Sequence, residues 1–441
     1  MKDDLQKPRG SGTATGMGTM RSRLRYGVNE ATGWREFALG PHCERISNRL
    51  RAIDTQIIRI YAFDRYTPDP VRDWPGFARY VEAVLKAGAT PMITFTRFRP
   101  PFRDAATVHW FAQRCGELVW NCIEQWGGEA VREWYWCIWN EPNSDWINPG
   151  FTFDQYRQIY LEVAHEILRW IGQYLGGRRA LIGGPAIDTF QPFWLDWLWR
   201  FVHEIDNPLI GFVLWHRFGD WRALGEWGAP RDHAIYRDLL MARTSEYLEH
   251  AETVRQLAGT RGILNICGKL NVNSHQEARV SADVNQSIFG AVYYALALVQ
   301  LMRGGADAEL YWMGTDAVGP YGLWDDHGRP TPVFLAKELV VQAIRLNDEI
   351  TIEEPVIGQG GLMVVRARDA GVRRSALIVH FSECPRSYRL ADILGQNESY
   401  AVLRKIDGAT EKHVVTTPCD ATVTFNGLGV AIATTGTARS D

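Results

Sequence analysis

The feature of this 441-residue sequence that most limits its possible folds is an alternation of short apolar runs with longer amphipathic stretches. The apolar runs are typical of buried parallel strands, which need not alternate in polarity because both of their faces are covered. In chain order they are Leu24–Asn29, Gln56–Phe63, Ala89–Phe95, Trp134–Asn140, Ala180–Gly184, Leu209–His216, Gly262–Cys267 and Glu309–Gly314. Eight strand–helix units in succession favour an α/β fold closed into a (β/α)₈ TIM barrel over an open sheet.

The pattern changes after Asn347. Short alternating or apolar segments follow, separated by turn residues such as Gln359-Gly360-Gly361 and Asn426-Gly427, and they predict an all-β module. The segments are Leu362–Arg368, Ser375–Phe381, Ser399–Arg404, Thr422–Phe425 and Gly429–Ala433. We therefore expect a barrel over residues 24–346 and a small C-terminal β-sandwich domain over 347–441. Residues 1–23, which are polar and rich in Gly, Ser and Thr, are expected to form a disordered N-terminal tail.

Composition narrows the class of protein. The formal net charge is −3, whereas nucleic-acid-binding proteins usually carry a basic patch or stripe. The seven cysteines are scattered without a Cys-x-x-Cys pair, so we expect free thiols in a reducing compartment and no metal site. The tail lacks the apolar stretch of a signal peptide, and the longest apolar run, residues 291–302, is too short to span a bilayer. A cytoplasmic protein without a cofactor is expected.

The candidate site residues lie where the predicted strands end, because the active site of a (β/α)₈ barrel is built at the C-terminal ends of its strands. Polar and aromatic side chains converge there, as a sugar-binding site requires. The residues are Asn29 on strand one, Arg59 on strand two, Trp139, Asn140 and Glu141 at strand four with Trp146 beyond it, His216 on strand six, Lys269 and Asn271 on strand seven, and Trp312 on strand eight.

The end of strand four carries the most specific motif. The run Trp134–Asn143, which closes with Asn140-Glu141-Pro142-Asn143, resembles the acid/base motif of the large clan of retaining glycosidases built on this barrel. Together with His216 and with Tyr321-Gly322-Leu323 leading to Pro332, it resembles glycoside hydrolase family 39 over nearly the whole chain after the tail. That family contains β-xylosidases and endo-acting exopolysaccharide glycosidases, on a barrel with an appended β domain.

The resemblance implies roles for individual residues. Glu141 would be the general acid/base, and Asn140 would bind the sugar 2-hydroxyl, a contact that strengthens in the transition state. Arg59 matches an arginine that holds the nucleophile's carboxylate, and Trp312 matches a tryptophan that contacts the sugar. Two alternatives stay open: Arg59 as an ordinary buried ion-pair residue, and His216 as a packed core histidine. Carbohydrate is the expected partner, of unspecified sugar and linkage.

The sequence departs from the family pattern at strand seven. A retaining glycosidase needs a second carboxylate at about 5–5.5 Å from the first. The window Ile266–Asn271 places Lys269 where the family has its nucleophilic glutamate, and the next acid downstream is Glu277. An ammonium at this position cannot act as the carboxylate nucleophile, and it would lower the pKa of Glu141. We therefore expect the Lys269 amine to point into the cleft, within ion-pair reach of Glu141.

Three hypotheses follow from this substitution. The chain is a glycoside hydrolase with impaired activity, or one that recruits another acid such as Glu277. It is alternatively a non-catalytic glycan-binding protein that keeps the cleft. The third hypothesis is a lyase or Schiff-base enzyme that uses the Lys269 amine, which borohydride trapping would test.

Overall fold

Eight parallel strands close into a barrel in the computed structural model, which describes residues 19–96, 104–227, 230–316, 320–325, 328–353, 361–371, 373–394, 400–419 and 422–435. The last barrel strand pairs with the first, so the sheet has no free edge. The barrel strands are β2 (Arg25–Asn29), β3 (Ile57–Ala62), β4 (Thr90–Phe95), β5 (Tyr135–Ile138), β6 (Ile182–Asp188), β7 (Phe212–Asp220), β8 (Leu264–Asn273) and β9 (Ala308–Tyr311).

Three barrel strands are longer than the sequence predicts. Strands β6, β7 and β8 continue to Asp188, Asp220 and Asn273, beyond the predicted ends at Gly184, His216 and Cys267. Register shifts in the β6–β7 and β7–β8 pairings accommodate polar residues in this extension. The consequence is functional, because the extension carries Asp188 and Lys269 to the rim of the barrel.

Helices surround the barrel. Helix α6 (Phe153–Ile171) begins at a capping box, which Thr152 and Gln155 form at its N-terminus. The α-helices are α1 (Trp34–Ala38), α2 (Cys43–Ala52), α3 (Trp74–Lys86), α4 (Ala105–Trp126), α5 (Gly128–Val131), α6 (Phe153–Ile171), α7 (Trp194–Glu204), α8 (Pro230–Ala242), α9 (Ser245–Ala258), α10 (Ala278–Val280), α11 (Ile288–Gly304), α12 (Pro332–Ala343) and α13 (Leu390–Leu394). Short 3₁₀ turns cover Gly172–Tyr174, Asn207–Leu209 and Leu224–Trp227, and a π-helical turn covers Ser281–Asn285.

Two apolar layers stabilise the barrel. Residues such as Ile57, Met92 and Leu214 form a cluster inside it, and a much larger cluster fills the space between the strands and the surrounding helices. In the described part of the chain, no single helix is long and apolar enough to cross a membrane; only the bent pair 278–285 with 288–304 reaches that length and apolarity together.

A seven-stranded antiparallel sheet lies beside the barrel, and a two-stranded sheet packs on it. The larger sheet has the order β1 (Thr19–Arg21), β10 (Glu349–Glu353), β11 (Leu362–Arg368), β12 (Arg374–His380), β17 (Gly429–Thr434), β14 (Val402–Asp407) and β15 (Val415–Pro418), and the smaller one pairs β13 (Arg386–Arg389) with β16 (Thr422–Phe425). Side chains of β11 alternate between the two covered faces. Met363 and Val365 join the barrel-side core, whereas Leu362 and Val364 pack against the smaller sheet.

Two details differ from the expectation. Residues Thr19–Arg21 form an edge strand paired with β10, so the end of the predicted disordered tail is ordered, while residues 1–18 lie outside the described part of the chain. The C-terminal module also contains the short helix α13, which an all-β description omits. Leu390, Ile393 and Leu394 of this helix are buried in the core between the two sheets, which explains why it forms there.

Candidate active site

Glu141 lies directly beyond strand β5 in a turn that is fixed on both sides. Its backbone N–H donates to the carbonyl of Ala186 at 2.9 Å, and its carbonyl accepts the amide of Asn148 at 2.7 Å. Both Glu141 (φ 50°) and Trp139 (φ 75°) adopt the left-handed backbone conformation, which is unfavourable for residues other than glycine and is concentrated at functional sites. The turn therefore presents the carboxylate at the mouth of the barrel, where the sequence predicts it.

Lys269 forms an ion pair with Glu141. Strand β8 pairs with β7 so that Lys269 lies opposite His216, and this register brings both side chains to the same level of the barrel. The Lys269 Nζ atom lies 2.9 Å from Glu141 Oε1, and each of the two residues is less than a tenth exposed. The predicted ion pair is present.

His216 and Arg59 continue this network. The His216 Nδ1 atom lies 2.6 Å from Glu141 Oε1, and its Nε2 atom lies 3.0 Å from the Arg59 Nη1 atom. Because a guanidinium can only donate, Nε2 must accept, and the neutral imidazole then donates its Nδ1–H to the Glu141 carboxylate. Arg59 also donates to Thr94 Oγ1 at 2.8 Å and to Asn140 Oδ1 at 3.2 Å. The buried arginine thus positions the histidine and Asn140.

The network holds Glu141 in its ionised form. Burial alone would raise the pKa of the Glu141 carboxyl, but the charge of Lys269 and the contact with His216 outweigh burial and place the pKa far below its usual range. Burial, with the Lys269 charge, lowers the pKa of His216 to about 3, so the imidazole is neutral at pH 7. Burial also lowers the pKa of Lys269, a shift that the Arg59 charge increases and the Glu141 charge opposes. A general acid must be protonated before it can donate, so the observed state is unsuitable for protonating a leaving group.

Trp312 lies beside the ion pair. The Lys269 Nζ atom lies 4.2 Å from the centroid of the Trp312 ring, a cation–π distance. Tyr61 and Tyr321 contact the same indole edge-on, each with a centroid distance of 6.3 Å. Asn140 and Trp312 keep partial exposure, so they form the accessible side of the buried Glu141–Lys269 pair.

Three predicted substrate-binding residues are instead part of the scaffold. The Asn29 amide donates to the carbonyl of Gly268 at 2.9 Å and accepts from Tyr61 at 3.1 Å. The Asn271 amide donates to the Tyr311 hydroxyl and the Trp312 carbonyl, which fixes the strand behind Lys269. Trp139 is fully buried and stacks on Phe151. Since their polar groups are engaged or their faces covered, these residues position the site and do not present a surface to substrate.

Trp146 and Trp215, two further tryptophans beyond or within barrel strands, differ in exposure. Trp146, on the loop after Glu141, is 90% exposed. Trp215 is buried, stacks on His250 and donates to Asn265 Oδ1 at 2.9 Å, so its side chain faces the surrounding helices and not the cleft. Alternation along strand β7 explains the difference from its neighbour His216, which points inward.

Glu277 lies outside this network, whereas an acid that the sequence analysis missed lies close to it. The Glu277 carboxylate accepts the backbone N–H of Leu224 at 3.0 Å, in the loop region beyond strands β7 and β8. Asp188 ends strand β6 opposite His216. Burial raises the pKa of Asp188, and the negative charge of Glu141 raises it further. The available signal was the apolar pair Ala186-Ile187 directly before Asp188, because a polar residue that ends a barrel strand faces the mouth.

Comparisons with known proteins match most of the barrel to one family. The model of glycosyl hydrolases family 39 matches residues 74–312, which include Glu141, His216 and Lys269. A β-xylosidase of Geobacillus stearothermophilus is 25% identical over 272 residues, which cover 58% of this chain and 49% of the relative. A β-xylosidase of Caldicellulosiruptor saccharolyticus is 24% identical over 264 residues, covering 56% of this chain and 49% of the relative. The chain thus matches about half the length of these curated relatives.

Solved structures share the fold at low identity. A monomeric β-xylosidase from Caulobacter crescentus CB15 superposes with a TM-score of 0.66 at 15% identity, covering 94% of this chain and 97% of the other. A family 39 enzyme from Xanthomonas axonopodis pv. citri superposes with a TM-score of 0.62 at 15% identity, covering 94% and 95%. These structures have the same barrel-based architecture. Because the family model covers more than half of the sequence, including the ends of strands four, six and seven, the chain belongs to glycosyl hydrolase family 39.

Proposed function

We propose that this chain recognises β-linked glycosides at the mouth of its barrel, with Glu141 as the acid/base residue, and that Lys269 impairs retaining hydrolysis by the unmodified protein. Family membership and the β-xylosidase relatives support a glycosidase, and they make β-xylosides the first substrates to test. The observation that carries the proposal is the 2.9 Å contact between Lys269 Nζ and Glu141 Oε1. The cytoplasm is the proposed location, on the strength of the scattered cysteines.

The ion pair acts against both carboxyl groups that the first step of retaining hydrolysis needs. In that reaction, one carboxylate forms a covalent glycosyl intermediate while a carboxylic acid protonates the leaving oxygen. Lys269 occupies the position of the first group, and it keeps the second group ionised. A Schiff-base reaction would require Lys269 to give up its ion pair with Glu141, because the neutral amine is the nucleophile in that chemistry.

Substitution of Lys269 tests the proposal. Lys269→Glu should raise the rate of aryl β-xyloside hydrolysis by on the order of a thousandfold or more, because single catalytic groups of a covalent mechanism contribute that much. Lys269→Gln is the matched control: it removes the charge without supplying a nucleophile, and its activity should stay at the background. NMR of the first-formed sugar should show retention of the anomeric configuration.

A non-catalytic glycan-binding protein is the second candidate, and the ionised state of Glu141 favours it for the unmodified chain. The two candidates separate in the same experiment. If the unmodified chain binds xylo-oligosaccharides and Lys269→Glu gains no hydrolysis, the barrel has lost more than its nucleophile and is a binding protein. Robust hydrolysis by the unmodified chain, abolished by Glu141→Gln, would refute the proposed impairment.

A further inference from the structure

A buried carboxyl group lies beside the site without a cation to pair with. Glu30 directly follows strand β2, and its side chain is fully buried. Its two oxygens accept the backbone N–H of Thr315 at 3.1 and 3.0 Å, and Oε1 also lies 3.2 Å from the Thr315 hydroxyl. In the described part of the chain, Asp316 is the one charged side chain that acts on this carboxyl, and it is also acidic. A buried charge without a partner is costly, so the neutral form of Glu30 is favoured here.

The backbone around this contact is fixed and allows a close approach. The Glu30 N–H donates to the carbonyl of Arg59 at 2.8 Å, and the Tyr80 hydroxyl donates to the Glu30 carbonyl. On the opposite side, the N–H of Gly314 donates to the carbonyl of Asn29 at 2.8 Å. A Cβ atom at Gly314 would overlap the Glu30 carboxyl, so glycine is required for this approach. The Glu30 side chain therefore joins the end of strand β2 to the segment that follows strand β9.

The same segment carries the indole of the site. Trp312 directly follows strand β9, and its ring centroid lies 4.2 Å from Lys269 Nζ. The backbone N–H of Trp312 donates to the carbonyl of Leu270 at 3.1 Å, whereas Thr315, three residues further on, is held by Glu30. The segment 312–316 is thus attached to strand β8 at one end and to Glu30 at the other. Release of Thr315 would remove the second attachment and let the indole change its position.

The charge state of Glu30 decides whether this attachment is stable. Burial raises the pKa of the Glu30 carboxyl to about 8, with a further increase from Asp316, although the hydrogen bonds from Thr315 oppose the shift. The neighbouring Tyr80 has a pKa well above 10 and stays neutral, and the Arg59 guanidinium donates to other residues inside the barrel. An ionised Glu30 would therefore face a like charge without compensation. Moving towards water relieves this cost and breaks the contact with Thr315.

We propose that Glu30 is a positioning residue of the site: its neutral carboxyl holds Thr315 at the end of strand β2 and so keeps the Trp312 indole against Lys269, and loss of its proton releases the segment. The proposal goes beyond the proposed function, because it concerns the shape of the site whatever its ligand. The closed segment keeps the proton up to about pH 8, whereas an open segment would lose it near pH 4.5. Opening should therefore become about tenfold more frequent per pH unit between these values and level off above pH 8.

Hydrogen exchange of the full chain between pH 6 and 9, measured by mass spectrometry, tests this proposal without any sugar. The exchange rate of a peptide that contains Thr315 is divided by the rate of the same peptide in Glu30→Gln, because the division removes the intrinsic effect of pH. Gln keeps the shape and an acceptor oxygen but does not titrate. The ratio should rise about tenfold per pH unit up to pH 8 and then level off. A peptide with Thr67, whose N–H donates to the Asp64 carboxyl at 2.7 Å, is the matched control, and its ratio should stay constant.

Fluorine NMR of the chain labelled with 5-fluorotryptophan measures the effect on Trp312, whose signal is assigned with Trp312→Phe. The signal should follow the same pH profile in the unmodified chain and stay fixed in Glu30→Gln. In Glu30→Ala, which lacks the acceptor, it should have the high-pH position throughout, and this variant is a second reference for the exchange ratio.

Three results would overturn the proposal. The first is an exchange ratio for the Thr315 peptide that does not change with pH against either variant. The second is a Trp312 signal that stays fixed while Thr315 exchanges faster, because Glu30 would then not position the indole. The third is a pH-dependent Trp312 signal that persists in Glu30→Gln, which would assign the effect to another group, such as Lys269.

Discussion

At the scale of single residues, His216 shows that a buried histidine can belong to the site and not only to the core. It is buried like a core residue, yet both of its nitrogens are engaged, one by the Glu141 carboxylate and one by Arg59. His216 is therefore neither a purely packed core residue nor one free to bind substrate through its nitrogens. Its imidazole bridges Arg59 and Glu141, so two neighbours, His216 and Lys269, fix the Glu141 carboxylate.

This arrangement predicts a pH dependence of stability. The pKa of His216 is lowered from 6.5 to about 3 in the folded protein. The unfolded chain therefore binds a proton below pH 6.5 that the folded chain does not. The stabilisation is fully present above pH 6.5 and is lost as the pH falls, at about 1.4 kcal/mol per pH unit. The pKa of the Glu141 carboxyl is also lowered, so this group causes a further loss of folding stability below about pH 4.5.

Urea unfolding of the unmodified chain and of His216→Asn between pH 4.5 and 6.5 measures the histidine contribution alone. Asn keeps a donor for Glu141 but does not titrate. As the pH falls, the unmodified chain should lose more unfolding free energy than the variant does. A difference that stays constant across this range would show that His216 is charged in the folded protein or exposed to solvent.

At the scale of elements, a second buried ion pair joins a helix to the barrel. Lys337 of helix α12 contacts Glu309 of strand β9, and both side chains are fully buried. Lys337 also donates to the Tyr294 hydroxyl at 2.8 Å and to the carbonyl of Gly27 at 3.1 Å. Burial raises the pKa of Glu309 and lowers that of Lys337, so each charge depends on the other. Helix α12 is therefore fixed to strands β2 and β9 by polar contacts as well as by its apolar face.

Removing one partner of this pair should be costly. Lys337→Met leaves Glu309 buried and unpaired, and should lower the free energy of unfolding by about 3–5 kcal/mol. The double variant Lys337→Met with Glu309→Met should lose clearly less, because no uncompensated charge remains. Arg389→Ala, which breaks an exposed pair with Asp392, is the control and should cost at most about 1 kcal/mol. Chemical denaturation that finds the two single-site effects equal would contradict this assignment.

Apolar runs predicted the eight strands, because a buried strand needs continuous apolar residues whatever lies around it. Strand ends were less predictable: β6 and β8 continue through polar residues such as Asp188 and Asn271, whose backbones pair with the neighbouring strand β7. For the same reason, the sequence could place Asn29 and Trp139 near the site but could not tell that scaffold contacts use both of them. The Lys269–Glu141 contact was predictable because Glu141 matches the acid/base position of the family motif and Lys269 matches the nucleophile position.

At the scale of the whole molecule, the chain segments that precede and follow the barrel pair with each other in the accessory sheet. Strand β1 precedes the first barrel strand, and it pairs with β10, which follows the last helix, through Thr19 with Thr351 and Arg21 with Glu349. One apolar cluster also continues from helix α12 into strands β11 and β12. The division of the chain at residue 346 stays a prediction, since the sheet draws a strand from each side of the barrel.

The most direct test of the central claim is mass spectrometry of the intact protein after incubation with an activated 2-deoxy-2-fluoro-β-xyloside. Such a reagent forms the glycosyl intermediate faster than water removes it, so a retaining nucleophile becomes labelled. We predict no adduct on the unmodified chain, and on Lys269→Glu one sugar attached at position 269. A covalent sugar on the unmodified chain, mapped to Asp188, Glu277 or any other carboxylate, would contradict the claim that Lys269 has removed the nucleophile.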